Sequence, residues 1–232
     1  MITREIAEKV RDVVDAGLVN GVGKAVPGQM CVEAAVCFAL GLPHGDDPGC
    51  VAQTLRRLKI RLNDSSWPSK EARAAGLRRL AVAQLGSAGA LDDREFVRRV
   101  VDMTIRRALP EGLRAAARVN PKHADALEAS AVRCETEGTR ESAREGERVA
   151  RAAAASAVSS ADYASASAYA ASSAAAAAAS ADYAAASAAA SADYAARARD
   201  RALAEYAEWV VEILIDMNAP GCQWLDLVPR AA

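Results

Sequence analysis

Met30-Cys31-Val32-Glu33-Ala34-Ala35-Val36-Cys37-Phe38-Ala39-Leu40 holds a single ionic residue, Glu33, in eleven positions. A helix apolar on nearly every side is a buried one, so this stretch is expected to be a central helix with the rest of a domain packed around it. On its N-terminal side Ile2, Ile6, Val10, Val13, Val14 and Leu18 recur at helical spacing, opposite Glu5, Glu8, Lys9, Arg11, Asp12 and Asp15. That pattern is an amphipathic surface helix. On its C-terminal side Asp47-Pro48 has the chemistry of a helix start, and Val51, Leu55, Leu58 and Leu62 form the apolar stripe that follows.

Pro68 begins a further helix with Leu77, Leu80, Ala81 and Leu85 inward, and Gly86 ends it. Asp92 and Glu95 have capping-box spacing, with Leu91 and Phe96 at the two positions of a hydrophobic staple, so a helix burying Val97, Val100, Val101 and Ile105 starts there. Pro110 and Pro121 each open another short helix. No segment shows the period-2 alternation of a half-buried strand, and 4% aromatic residues are thin material for a sandwich or barrel. The fold class is therefore all-α, a bundle of short helices over residues 1–137.

From Glu147 to Ala219 there is neither Gly nor Pro, and residues 151–200 contain 28 Ala. Alanine loses no side-chain entropy in a helix, so residues 138–219 are expected to form an Ala-rich helical arm. A continuous rod there would be about 110 Å long at ~1.5 Å per residue. A compact domain of this length is roughly 45 Å across, so the arm is either a long helix or a helical hairpin. Ser-Ala-Asp-Tyr recurs at 160–163, 180–183 and 191–194, a partial 11-residue repeat that sets Tyr169, Tyr183 and Tyr194 on one helical stripe. Residues 220–232, with Cys222, Trp224, Leu225 and Leu227, are too apolar to float and form a docking tail.

The net charge of −1 conceals a division. Residues 51–120 carry 15 Lys/Arg against 7 Asp/Glu, whereas residues 121–232 carry 10 against 16. The basic middle, with Arg56, Arg57, Lys59, Arg61, Arg78 and Arg79 as candidate binding residues, suits carboxylates or phosphates. Its partners are acidic segments of this chain, a second copy, another protein, or nucleic acid. No aromatic platform for bases accompanies the arginines.

Two chemical options use the cysteines. Cys31 near a helix N-terminus, with His44 as base, would be a thiol catalyst. Cys31, Cys37, His44 and Cys50 would suit zinc by number but not by spacing, because no Cys-x-x-Cys pair exists. Neither arrangement has a specific local signature, so a non-catalytic binding or assembly protein without a cofactor is the leading expectation. Five cysteines, no signal-peptide pattern and no apolar run of ~20 residues point to a reducing cytosol and away from a membrane.

The text from Gly28 to Asp64, including Leu42-Pro43-His44-Gly45-Asp46 and Lys59-Ile60-Arg61-Leu62-Asn63-Asp64, together with Pro220-Gly221-Cys222-Gln223-Trp224-Leu225, resembles a group of uncharacterised bacterial and phage-associated proteins. Those proteins also carry an Ala/Asp/Tyr-rich segment before the same ending. The resemblance covers most of the chain and implies no activity.

Overall fold

The computed structural model describes residues 2–157 and 196–230, and they form an all-α protein. Among the described residues no strand forms; two isolated backbone bridges, Leu18 to Met30 and Gly23 to Met30, fold the loop after the first helix onto itself. The chain divides into two compact units, residues 1–97 with 204–232 and residues 98–203. The composition of the chain sets an expected boundary at 137. In the structure Gly138, in the left-handed conformation, caps a helix inside the second unit, and the chain leaves the first unit at Val97.

Unit 1 opens with α1 (Arg4–Asp15), capped by the Thr3 hydroxyl, which accepts the Ile6 N–H, and buries Ala7, Val10, Val13 and Val14. α2 (Val32–Ala39) is the central helix, with seven of its eight residues buried. α3 (Gln53–Asp64) starts five residues later than Asp47-Pro48 suggests, because Gly49 adopts φ 64° and turns the chain before a helix can propagate. Asp47 caps that turn by accepting the Gly49 N–H. α4 (Lys70–Ala83) follows, N-capped by Ser69, with Trp67 lying over Gly76 and donating its indole N–H to the Leu62 carbonyl at 2.9 Å.

The Asp92 half of the predicted capping box is present. Asp92 Oδ1 accepts the N–H of Arg94 and of Glu95, both at 3.0 Å, with Leu91 and Phe96 buried beside it. α5 (Asp93–Met103) therefore begins where the sequence places it. Pro110 does not interrupt the chain as a fresh start would. A π-turn over Thr104–Ala108, whose Thr104 carbonyl accepts the Leu109 N–H, carries α5 directly into α6 (Leu109–Val119) and absorbs the amide that proline lacks.

Unit 2 is completed by α7 (Ala124–Glu137) and α8 (Arg140–Ala157). Its core is aliphatic and small: Ile105, Leu109, Leu113, Leu127, Val149 and five alanines, with Cys134 among them. The Ala-rich arm's rod-or-hairpin alternative and its tyrosines Tyr169, Tyr183 and Tyr194 lie outside the described residues.

The chain re-enters unit 1 in the last helix, α9 (Ala196–Asp216), which buries Leu203, Tyr206, Val210, Val211 and Leu214. A 3-10 segment, Pro220–Leu227, then packs on the end of α4. A Cβ at Gly221 would stand 2.5 Å from the Val82 carbonyl oxygen and 2.7 Å from the Leu85 nitrogen, so only glycine permits this approach. No helix among the described residues is long and apolar enough to cross a membrane.

Candidate functional site

α2 and α3 bring two lone charges together inside unit 1. Glu33 and Lys59 are both 0% exposed, and Nζ lies 3.1 Å from Oε1. That is an ion-pair distance, yet the approach meets no hydrogen-bond geometry. Among the described residues neither carboxylate oxygen nor Nζ has a hydrogen-bond partner. Burial raises the Glu33 carboxyl above the usual carboxylate range and lowers the Lys59 ammonium below the usual lysine range, each opposed by the attraction of the other. Lys59 is thus a correction to the basic-surface expectation: it fills the apolar stripe of α3 beside Leu55, Leu58 and Leu62 and presents no charge to a partner.

The sequence carried a signal for this pair. Glu33 is the only ionic residue of an apolar segment, and Lys59 stands four residues after Leu55 and three before Leu62, on the inward face. Two lone charges of opposite sign, each on an apolar face, are candidates for mutual burial.

Around the pair, Asn63 and Arg73 pin the loop between α1 and α2. Asn63 accepts the Val32 N–H at 3.2 Å and donates to the Val19 carbonyl at 3.0 Å. Arg73 donates to the carbonyls of Leu18, at 3.0 Å, and Asn63, at 2.8 Å. A cavity of about 60 Å³ lies beside these contacts, lined by Gly21, Val22, Cys31, Val32, Asp46, Ile60, Asn63 and Asp64.

Cys31 is the N-cap of α2, its sulfur accepting the Ala34 N–H at 3.3 Å. Burial outweighs the helix N-terminus and pushes this thiol up, so the expected acidification does not occur. His44 is engaged elsewhere, with Nε2 donating to the Gly23 carbonyl at 3.1 Å. Cys31 and His44 therefore form no nucleophile–base pair. Burial also pushes Cys37 up to about 11 and raises Cys50. Among the described residues no three His, Cys, Asp or Glu side chains gather as a metal requires, so Cys31, Cys37, His44 and Cys50 do not close on one ion.

Most of the named arginines are paired within their own unit. Arg56 donates to Asp46 Oδ1 at 2.7 Å and to the Asp46 carbonyl. Arg78 meets Asp15 at 2.7 Å, and Arg79 meets Glu208 at 3.0 Å and the Val228 carbonyl at 2.7 Å. In unit 2, Arg114 bridges Glu128 and Glu135. Arg106 closes the C-terminus of α7 by donating to the carbonyls of Glu135, Thr136 and Glu137. Arg57 and Arg61 alone of the six named basic residues are exposed, one turn apart on the outer face of α3.

Outward-facing apolar side chains include Val22, 37% exposed, and Val26, 48% exposed, in the loop after α1, and Leu42, 42% exposed, in the loop after α2. His44 ties the two loops together through Gly23. No protein-family model, no curated protein and no solved structure matches this chain, which leaves its own residues to carry the functional reading.

Proposed function

We propose that the protein is a non-catalytic binding or assembly protein that associates with itself or with a protein partner. The observation that carries this reading is the disposition of the reactive groups: Arg56, Arg79 and Arg106 are engaged in internal ion pairs and carbonyl caps, and the thiols of Cys31 and Cys37 are buried with raised pKa values. What faces outward on the described residues includes the apolar Val22, Val26 and Leu42. In sequence the Ala-rich segment, with Tyr169, Tyr183 and Tyr194 at helical spacing, is rich in the small residues that let helices approach closely. Five free thiols support a reducing, cytosolic setting.

The test is the triple variant Tyr169→Ser, Tyr183→Ser, Tyr194→Ser examined by light scattering. A wild-type dimer should become a monomer. A wild-type chain that is monomeric at every concentration and retrieves no protein on native co-purification sinks the reading.

A second reading rests on Arg57 and Arg61, exposed together on α3. If they contact phosphates, DNA or RNA is retarded at low salt and released steeply as salt rises. Charge reversal at both positions should abolish the retardation, and no retardation by the wild-type chain removes this alternative.

A further inference from the structure

Three features coincide where α2 meets α3. The Glu33–Lys59 pair is fully buried, and beyond their own 3.1 Å contact neither charged group has a hydrogen-bond partner among the described residues. The cavity of about 60 Å³ is walled by Cys31 and Val32 on the α2 side and by Ile60, Asn63 and Asp64 on α3, so residues adjacent in sequence to both ions border it. Asn63 holds both sides of the cavity: its Oδ1 accepts the Val32 N–H of α2 and its Nδ2 donates to the Val19 carbonyl of the loop, with the Asp64 carboxylate accepting the Gly21 N–H, so one side-chain hydrogen bond to α2 must break for the seam to open.

We propose that α2 and α3 part locally along this seam, admitting water to Glu33 and Lys59 and exposing the thiols of Cys31 and Cys37 while the rest of unit 1 stays folded. Hydration of two desolvated ions favours the opening. Loss of apolar contact by Val32, Val36, Leu55 and Leu62 opposes it, which keeps the open form a minor population. The surrounding charges are few: Arg56 and Asp46 are the groups that bear on Glu33 besides Lys59. The seam thus works as a gate on thiols that are inert when it is closed.

Cys134 of unit 2 is the internal reference. It is fully buried like Cys37, and burial pushes both thiols up to about 11, so a difference in their labelling rates reports access rather than intrinsic reactivity. The full-length chain is pulsed with an aromatic disulfide across sub-denaturing urea, and labelled peptides are counted by mass spectrometry. Cys31 and Cys37 should label at least ~10-fold faster than Cys134, with a urea dependence much shallower than that of unit 1 unfolding followed by tryptophan fluorescence. Labelling of Cys37 as slow as that of Cys134, or with the full slope of the fluorescence transition, overturns the proposal. The variant Glu33→Met/Lys59→Met should slow Cys37 labelling about 10-fold and leave Cys134 unchanged. An unchanged Cys37 rate in the folded variant also overturns it, and if the variant does not fold the wild-type urea series decides alone.

Discussion

Unit 1 and unit 2 are both helical, but they are stabilised by different chemistry. Unit 1 holds every Trp and Phe of the chain and places charged or amide side chains inside: Glu33, Lys59, Asn63, Arg73 and Gln84 are all buried. Unit 2 has an aliphatic core of small residues and keeps its ionic contacts, such as Arg114 with Glu128 and Glu135, near the surface. Among the described residues the polar groups that unit 2 does bury are neutral, Thr104, Asn120, Ser130 and Ser142, whereas unit 1 also encloses the charges of Glu33, Lys59 and Arg73.

The most severe way to break the contrast is to remove one buried ion. Lys59→Met leaves Glu33 without its counter-charge and should destabilise unit 1 by about 3–5 kcal/mol, while the double replacement Glu33→Met/Lys59→Met should be neutral or stabilising by ~1–4 kcal/mol. Urea unfolding followed by tryptophan fluorescence, which reads unit 1 alone, measures both. Equal losses in single and double variants would show that the ions are replaceable only by each other.

Next in size is Gly221→Ala. The added methyl meets backbone of α4 that cannot give way, so a loss of about 2–3 kcal/mol is expected in the same fluorescence assay. In unit 2 the comparable site is softer. Arg106→Ala removes donors from three carbonyls at the end of α7, but water can replace them at a half-exposed position, so about 1 kcal/mol is expected from far-UV ellipticity.

The smallest effect concerns acid. In unit 2, Arg114, Arg133 and Arg148 hold Glu135, Glu137 and Glu145 below the ordinary carboxylate value of 4.5. A depressed carboxylate contributes stability that is present above 4.5 and is lost as pH falls through the folded value. In unit 1, Glu71 and Asp226 behave likewise, but Glu33 has the opposite sign: raised by burial, its contribution is present below 4.5 and is lost as pH rises. Urea midpoints at pH 5 and pH 3 should therefore fall more by ellipticity than by fluorescence, modestly because the paired groups are exposed. A larger fall by fluorescence would reverse the comparison.

Local signals were legible in the sequence where one turn of chain contains the whole interaction. The Asp92 cap with its Leu91 and Phe96 staple is of this kind, and so is the burial of Met30–Leu40. Asp47-Pro48 misled because Gly49 takes a left-handed conformation that residue type permits but does not dictate. Lys59 misled because charges on a helix are read as a solvated face, and the partner that reverses this is 26 positions away, at Glu33. The arginine pairings escaped for the same reason. Which acidic residue each arginine meets, as Arg79 meets Glu208, depends on helices that become neighbours only after folding.

Unit 1 is assembled from residues 1–97 and 204–232, with all of unit 2 lying between them in the chain. During synthesis, α1 to α4 emerge long before the residues that complete their core, Tyr206, Val210 and Leu214 among them. At about 5–20 residues per second a ribosome needs roughly 5–20 s to make residues 98–203. For that interval the nascent N-terminal helices lack the apolar partners that residues 204–232 supply. The order of birth is therefore the reverse of the order of completion, and a pause or cleavage within residues 98–203 would strand the half of the molecule that was made first.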